Sequence, residues 1–282
     1  MGDENQSDLA VIDYYDIVGP IMQQFWDDNF HFGYWNGPDD VSPVAEATDR
    51  FTDLLIGKLN TVPGDRVLDL GCGIGKPALR LVRSKDVQVV GITISKSQVE
   101  QATDRARRES LTDRATFQVA DGTDMPFEDD SFDAVFAFES ILHMDRGRAL
   151  REICRVLKPT GRLVATDLVE RASPEDADRA ATPPSAGNAT FTRLPYLAGY
   201  RELLTAAGLE PIELVDLTDN TVRISMQRMM SAPDADKKAF DVTMDPARQK
   251  VVAAANMPLS AAADLGCALI VCTPVKPGGA AL

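Results

Sequence analysis

Residues that bind metals, form disulfides or attract nucleic acid are scarce in this sequence. It has two histidines and four cysteines, and Cys72, Cys154, Cys267 and Cys272 lie in apolar contexts without metal-ligand spacing. This pattern predicts reduced, mostly buried thiols, no disulfide framework and no metal site. Because 43 acidic residues outnumber 29 basic ones, the net charge of -14 repels phosphate backbones and anionic membrane surfaces. We therefore expect no nucleic-acid or membrane partner.

Long hydrophobic runs are also missing. No stretch approaches eighteen consecutive apolar residues, so no membrane-spanning helix is predicted. The segment MGDENQSDLA lacks the basic and apolar regions of a signal peptide, and a cytoplasmic location is expected. The apolar fraction of 44% is ordinary for a globular protein.

Short apolar runs alternate with helical segments between residues 66 and 169. The runs RVLDL, VQVVGIT, ATFQVA, FDAVFAF and GRLVATDLV are typical of buried strands, whereas SKSQVEQATDRARRE and GRALREICRVLK are typical of helices. Such alternation predicts a doubly wound α/β fold with a parallel sheet covered on both faces. Ligands of such sheets bind at the carboxyl ends of the strands.

The segments on either side of this core have their own patterns. Upstream, an aromatic-rich arm, YYDIVGPIMQQFWDDNFHFGYW, precedes a helix that Ser42 is predicted to cap. Downstream, the sequence predicts an exposed insertion (SPEDADRAATPPSAGNAT), a helix over 194–208, a helical appendage over 222–259 and two late strands, PIELVDLT and GCALIVCTPVK. We expect one structural domain, with an N-terminal helical arm and lid (1–60), an α/β core (61–170) and a substrate cap (171–282) that adds the last strands.

Three glycines, Gly71, Gly73 and Gly75, follow the first strand within VLDLGCGIGKP. A ligand can approach the bare backbone N–H groups of such a loop, which favours a charged or polar cofactor. Two classes compete, a nicotinamide dehydrogenase and an S-adenosylmethionine (SAM) methyltransferase. The dinucleotide fingerprint is G-x-G-x-x-G with an acidic residue about twenty positions later. Here the spacing is G-x-G-x-G and the next strand ends in GITIS, which weakens the dehydrogenase alternative.

The segments DLGCGIGKPAL, VADGTDMPFEDDSFDAV and LREICRVLKPTGRLV resemble the successive motifs of class I SAM-dependent methyltransferases. With the upstream HFGYW, the chain is most similar to bacterial natural-product methyltransferases of the rebeccamycin-sugar and demethylrifamycin O-methyltransferase type. The resemblance covers most of residues 8–170 and the late strand GCALIVCTPVKP. It implies a Rossmann-like methyltransferase sheet with a helical lid and cap, and SAM as the cofactor.

The resemblance also implies which residues bind the cofactor. Gly71, Cys72 and Gly73 would lie against the methionine part of SAM, and Asp69 would order the loop or bind the amino group. A tight turn with a capping aspartate is the alternative interpretation. Phe138, at the end of the fourth strand, completes this group.

The ribose and adenine contacts follow from two further segments. GITISKSQ resembles the cyclopropane-synthase-like branch, in which a glutamine reaches a ribose hydroxyl. This assigns Gln98, with Thr93 and Ile94 packing nearby, and a solvated surface glutamine is the alternative. The other residues that the resemblance implies for the cofactor are Asp121 at the adenine amino group, the Gly122 and Thr123 backbone at the ring nitrogen, and Tyr34 and Trp35 folded over the cofactor.

The chemistry depends on the acceptor, since a hydroxyl must lose a proton on methylation and an amine needs little proton removal. His143 in FESILHM follows the fourth strand and is the candidate base, with a packed structural histidine as the alternative. The rebeccamycin-type pattern has a second histidine where this chain has Leu142. ILHM is also similar to the ILH of phosphoethanolamine N-methyltransferases, whose histidine pairs with a tyrosine of the arm as a latch. Tyr15 matches that tyrosine, and Tyr14 is the register alternative.

Three other polar residues belong to segments near the predicted site. Asp167 ends the fifth strand, and the resemblance implies that it orients the histidine or the acceptor, unless it only caps the following turn. Glu139 is given no catalytic role, and His31 is predicted to be structural. The resulting hypothesis is SAM-dependent methylation of a small molecule at a hydroxyl of a secondary metabolite, a sugar or polyketide antibiotic. An N-methyltransferase is the alternative, a non-catalytic SAM- or NAD-binding protein is a more distant one, and homo-oligomerisation is left open.

Overall fold

The computed structural model describes residues 9–17, 19–20, 28–171, 190–230 and 265–276. The predicted insertion falls almost entirely outside these described residues, and so does the part of the helical appendage that follows residue 230. Within the described residues no helix is long and apolar enough to cross a lipid bilayer.

Seven strands form a single sheet in the described part of the chain. They are β1 (Arg66–Leu70), β2 (Gln88–Thr93), β3 (Ala115–Val119), β4 (Phe132–Phe138), β5 (Leu157–Glu170), β6 (Leu209–Asp216) and β7 (Leu265–Pro274). Their order is β3-β2-β1-β4-β5-β7-β6. The first five strands run parallel, whereas β7 is antiparallel to both β5 and β6. The predicted doubly wound α/β sheet is confirmed.

Helices cover both faces of this sheet. They are α1 (Val44–Lys58), α2 (Lys76–Ser84), α3 (Lys96–Arg108), α4 (Arg146–Val156), α5 (Tyr200–Ala206) and α6 (Val222–Met230), with short 3-10 turns at Ile141–His143, Leu197–Gly199 and Thr218–Asn220. Residues 9–17 and 19–20 are also helical and are called the N-terminal helical segment below.

Alternation along β1 divides the core into two layers. Val67 packs on the side of α1 and α2, in a cluster that contains Phe51 and Leu79. Its neighbour Leu68 faces the opposite side, where Leu150 of α4 and residues of α5 pack. Because successive strand residues point to opposite faces, a continuous apolar run fills both layers. Each fully buried Leu or Phe side chain contributes about 2 kcal/mol through the hydrophobic effect.

The predicted cap of α1 is wrong. Pro43, in an extended conformation, is the residue before the helix, and no side chain caps this end. The Ser42 backbone N–H donates to Asp40 at 3.0 Å, and its hydroxyl donates to Glu46 at 3.3 Å. The Ser42 hydroxyl is therefore used by another side chain rather than by the backbone of the first turn.

β6 lies two residues before its predicted run and β7 ends two residues earlier than predicted, and two other elements differ more from the sequence prediction. β5 begins at Leu157, four residues before the predicted run, because Leu157 pairs with Phe132 across an irregularity in the β4–β5 register. The predicted helix over 194–208 is shorter, since Pro195 accepts the Glu170 backbone N–H at 2.9 Å and keeps its segment extended beside β5. Only Tyr200–Ala206 forms α-helix there.

Candidate active site

A cleft opens at the carboxyl ends of β1, β2 and β4, and the N-terminal helical segment forms its opposite wall. The cleft holds about 1040 Å³, including the space at its mouth, which suits a ligand of nucleoside size. Twelve of the sixteen residues predicted for the site line it, namely Tyr15, Asp69, Gly71, Cys72, Gly73, Thr93, Ile94, Gln98, Asp121, Gly122, Phe138 and His143. The positions agree with the predicted roles of these residues, and the roles themselves stay predictions.

The glycine loop is shaped by close packing and by left-handed backbone. Gly71 has a φ of 75°, and a Cβ added there would lie 2.3 Å from the Cβ of Ser140. The backbone N–H groups of Gly71 and Cys72 both donate to the Ile92 carbonyl, at 2.9 and 3.0 Å. Only glycine fits at position 71, because any side chain would strain the backbone and clash with Ser140. The loop is thus fixed against β2 and β4 at the floor of the cleft.

Asp69, at the end of β1, is the most deeply buried acidic residue of the cleft. It is 2% exposed, and one of its carboxylate oxygens has no hydrogen-bond partner. Burial raises the pKa of this carboxyl from its usual 3.8 to about 7. An orphaned carboxylate oxygen at a cleft wall is complementary to a cationic group of a ligand. The ammonium group of a bound amino acid moiety would meet this requirement.

Gln98 is held in a defined orientation at the start of α3. The Thr93 hydroxyl donates to its side-chain oxygen at 2.6 Å, and Ser95 caps the helix by accepting the Gln98 backbone N–H at 3.3 Å. Because the oxygen is engaged, the side-chain amide N–H groups remain as donors on a cleft-lining residue. At 9% exposure, Gln98 is not the solvated surface glutamine of the alternative interpretation.

Asp121 lies at the rim and is organised by Thr123. The carboxylate accepts the Thr123 backbone N–H at 2.7 Å and its hydroxyl at 2.9 Å. Thr123 therefore stands behind Asp121 and does not line the cleft, unlike the predicted contact. Gly122 between them is buried, and a Cβ there would lie 2.6 Å from a methyl carbon of Leu70.

Tyr15 and His143 form a hydrogen-bonded pair across the cleft. The Tyr15 hydroxyl lies 2.8 Å from His143 Nε2, and His143 Nδ1 lies 2.8 Å from the Thr190 carbonyl. A carbonyl can only accept, so Nδ1 carries the proton and Nε2 accepts from Tyr15. Burial lowers the pKa of His143 to about 4 and raises that of Tyr15. The pair is therefore neutral at physiological pH, and the structure favours Tyr15 over Tyr14 as the partner.

Asp167 does not line the cleft, which differs from its predicted place beside the histidine or acceptor. It is fully buried on the other side of β5, where Arg146 donates to it at 2.6 Å and the Tyr200 hydroxyl at 2.8 Å. The alternation of side chains along β5 explains this, since Asp167 faces the layer of α4 and α5.

Arg146 links this buried carboxylate to the segment that contacts His143. Besides pairing with Asp167, it donates to the Thr192 hydroxyl and to the Arg193 carbonyl. These residues continue directly from Thr190, whose carbonyl fixes the tautomer of His143. Nothing in the sequence indicates this link, because its members meet only after β5 and the segment around 190–193 have docked together.

Two predicted aromatic contacts also lie elsewhere. Trp35 is 0% exposed and packs with Ala47 and Ile224, while its indole N–H donates to the Ser42 carbonyl at 3.1 Å. Tyr34 packs towards Phe51 in the core at a ring distance of 6.0 Å. The arm covers the cleft with an earlier part of the same segment, residues 30 and 31.

His31 combines a packed position with a place in the cleft wall. Its ring stacks on Phe138 at 3.7 Å, and its Nδ1 donates to the Phe32 carbonyl at 2.8 Å. Burial lowers the pKa of His31 to about 3, so the ring is neutral. These contacts are those of a structural residue, although the ring also borders the ligand space.

Glu139 is the cleft residue whose importance the sequence did not show. It follows β4 with a φ of 47°, and both carboxylate oxygens accept the single Phe32 backbone N–H at 3.2 Å. Burial raises the pKa of this carboxyl from its usual 4.5 to about 8. A left-handed conformation is costly for a glutamate, so the fold holds this side chain in place.

Comparison with known proteins assigns the chain to a family. Residues 68–165 match the family model described as "Methyltransferase domain". The chain is 41% identical over 210 residues to "Methyltransferase GfsG" of Streptomyces halstedii, covering 74% of this chain and 76% of that protein. It is also 41% identical over 208 residues to the "27-O-demethylrifamycin SV methyltransferase" of Amycolatopsis mediterranei, covering 73% and 76%. The chain belongs to the class I SAM-dependent methyltransferases, and its cofactor is SAM.

Solved structures agree on the fold. The crystal structure of the [4+2]-cyclase SpnF superimposes with a TM-score of 0.79 at 34% identity, covering 94% of this chain and 96% of that one. A geranyl diphosphate methyltransferase in complex with SAM has a TM-score of 0.64 at 20% identity, with 88% and 99% covered. The second likeness concerns the fold alone.

Proposed function

We propose that this methyltransferase acts on a hydroxyl group of a secondary metabolite of the polyketide type. The single observation that carries the hydroxyl assignment is the Tyr15–His143 pair, which offers a proton acceptor at the cleft. The polyketide assignment is supported by the names of relatives, of which one is a demethylrifamycin methyltransferase. The apolar cleft residues Val11, Ile12 and Met144 suit an acceptor with a large apolar surface.

The residues of the chain fit SAM at the floor of the cleft. The Asp69 carboxylate would hold the ammonium group, Gln98 would donate to a ribose hydroxyl, and Asp121 would accept from the adenine amino group. When bound, SAM supplies an electrophilic methyl group on a sulfonium. The glycine loop and the N-terminal helical segment hold the reacting groups in one place, and positioning of this kind is worth up to about 7–11 kcal/mol.

We assign proton transfer to the Tyr15–His143 pair. As the acceptor oxygen forms its bond to the methyl group and the bond between methyl and sulfur breaks, the O–H proton would pass to the Tyr15 oxygen, and the Tyr15 proton to His143 Nε2. His143 is then an imidazolium that still donates from Nδ1 to the Thr190 carbonyl. Burial and the positive charge of Arg146 oppose this charged form, whereas the hydrogen bond to Thr190 and the negative charge of Asp167 favour it. Because Nδ1 is already protonated, the fixed tautomer leaves Nε2 as the basic nitrogen.

Removing the pair tests this mechanism. We expect His143→Gln and Tyr15→Phe each to lower kcat by about tenfold to a hundredfold, while SAM affinity stays within about twofold. The assay is mass spectrometry of hydroxylated polyketides incubated with SAM, read as the gain of one methyl group. Tyr14→Phe is the matched control, since Tyr14 packs on Phe191 and does not line the cleft. Unchanged turnover in both site variants would contradict the proposed base.

The same assay separates the other candidates. An amine acceptor needs little proton removal, so an N-methyltransferase would tolerate Tyr15→Phe. A cyclase is the second candidate, because a 34% identical protein whose structure covers 94% of this chain has that activity in its name. A cyclase product would have unchanged mass, and no S-adenosylhomocysteine would be released.

Four expectations from the sequence remain predictions: the cytoplasmic location, the oligomeric state, the absence of nucleic-acid partners and the division of the chain at residues 60 and 170.

A further inference from the structure

Besides Asp121 at the rim, two carboxylates border the cleft without a cationic partner among the described residues. Asp69 has an oxygen with no hydrogen-bond donor, and Glu139 shares one backbone N–H between its two oxygens. Neither carboxylate forms an ion pair with a lysine or arginine of the described residues, and burial is the main cause of the raised pKa of each. Unpaired carboxylates of this kind are costly to a folded protein unless a ligand supplies the missing positive charge.

The two carboxylates occupy different places in the cleft. Asp69 precedes the glycine loop directly. Glu139 lies one strand further along the sheet, next to Ser140, whose hydroxyl donates to the Leu70 carbonyl at 2.6 Å and whose Cβ packs on Gly71. On its other side Glu139 is close enough to Tyr15 to raise the pKa of the phenol, after the larger effects of burial and Tyr14. Glu139 therefore lines the same cleft as the glycine loop and the Tyr15–His143 pair.

The surroundings of Glu139 show what its charge acts on. The Phe32 backbone N–H of the arm contacts Glu139, and Tyr15, Asp167 and Cys267 are near enough to interact with its charge. None of these carries a positive charge, and Arg146 is already paired with Asp167. The left-handed backbone at Glu139 holds the carboxylate at the cleft wall despite this unfavourable setting.

We propose that Glu139 is the counter-charge of the sulfonium, so that the protein binds SAM more tightly than S-adenosylhomocysteine, whereas Asp69 meets the ammonium group that both molecules carry. The inference rests on membership of the SAM-dependent family and not on the hydroxyl acceptor. The group that must lie between the glycine loop and the proton-accepting pair is the sulfur with its methyl group. Transfer of the methyl group turns the sulfonium into a neutral thioether, so the attraction to Glu139 disappears and the product leaves more readily.

Calorimetry with three ligands tests this assignment on the full chain at pH 8.5, where both carboxyls are ionised. The probes are SAM, S-adenosylhomocysteine and sinefungin, an unreactive analogue that has an amine-bearing carbon in place of the sulfonium. We expect Glu139→Gln to reduce the preference for SAM and for sinefungin over S-adenosylhomocysteine by about tenfold, through weaker binding of the two cations.

Asp69→Asn is the matched control, because it removes a carboxylate from the same cleft. We expect Asp69→Asn to lower the affinity for all three ligands by the same factor, so that the ratio of the SAM affinity to the S-adenosylhomocysteine affinity stays unchanged. Glu139→Asp keeps the charge and should retain the preference, which separates charge from loss of folding. The inference would be overturned if the ratio of the SAM affinity to the S-adenosylhomocysteine affinity were unchanged in Glu139→Gln, or reduced in Asp69→Asn. Failure of the unmodified protein to bind SAM at all would instead contradict its proposed function.

Discussion

The carboxamide of Gln98 is oriented by a neighbour rather than by the ligand. The Thr93 hydroxyl engages its oxygen, and this leaves its nitrogen as the donor that can serve a ribose hydroxyl. A donor that is already fixed loses little side-chain entropy when the ligand binds. The site is therefore prepared before the cofactor arrives.

Replacing the Gln98 amide should lower the affinity for the cofactor. We expect Gln98→Met, which keeps the size of the side chain, to weaken SAM and S-adenosylhomocysteine alike by about tenfold, because one hydrogen bond to each is lost. Gln118→Met is the control, since Gln118 is exposed on β3 and does not line the cleft. Titration calorimetry gives both affinities, and equal affinities in all three proteins would rule out the ribose assignment.

Single residues differ in how far the sequence reveals them. The glycine loop, Gln98 and His143 belong to contiguous motifs, and the structure places each of them at the cleft. Trp35 was misplaced because an aromatic-rich segment does not show which rings point inwards. The sequence does not predict the importance of Glu139, because its left-handed backbone and its missing counter-charge are visible only in three dimensions.

At the scale of elements, the ion pair between α4 and β5 fixes the segment that orients the base. Asp167 and Arg146 are 0% and 7% exposed, and Arg146 also binds the backbone at residue 193. A buried pair is costly to break, because removal of one partner leaves the other charge without compensation. The pair thus couples the packing of two elements to the geometry of the cleft.

Breaking this ion pair should destabilise the fold without lowering the affinity for SAM. We expect Asp167→Asn to lower the free energy of unfolding by about 3 kcal/mol, since Arg146 would then be buried unpaired. Below its melting temperature, the variant should bind SAM with unchanged affinity, because Asp167 does not line the cleft. Asp104→Asn, which removes an exposed partner of Arg107 on α3, should cost less than about 1 kcal/mol.

Urea denaturation and calorimetry measure the two quantities. A stability of Asp167→Asn equal to that of Asp104→Asn would show that the buried pair is unimportant.

Most strands were predicted to within one residue, because continuous apolar runs bounded by turns identify buried strands well. The Asp167–Arg146 contact was not predicted, since it joins residues that share no local pattern.

For the molecule as a whole, the acidic groups of the cleft set how stability varies with pH. Asp69 and Glu139 have raised pKa values, so the folded protein binds protons that the unfolded chain would release. Their contribution is complete below the usual carboxyl pKa and is lost as pH rises through about 7 and 8. The lowered pKa values of His31 and His143 act oppositely, since their contribution is complete above about 6.5 and lost on acidification.

These opposing trends predict a fall in stability on the alkaline side of neutrality. Between pH 6.5 and 8 each carboxyl can lower the free energy of unfolding by up to about 1.4 kcal/mol per pH unit, and the histidines of the unfolded chain oppose this only in the lower part of the interval, near their usual pKa. We expect urea midpoints of the ligand-free protein to decline over this interval, and to decline less in Glu139→Gln. SAM should offset the decline, because its proposed contacts with Asp69 and Glu139 require the ionised carboxylates. Parallel curves for the two proteins would contradict the raised pKa of Glu139.

The position of β7 has a consequence for how the chain is made. Synthesis runs from the amino terminus, so β5 and β6 leave the ribosome before the strand that belongs between them. Until β7 arrives, both expose unpaired backbone edges, which can recruit strands from other nascent chains. The cofactor-binding half, β1 to β4, can assemble earlier, whereas protection against aggregation depends on the last described strand to be translated.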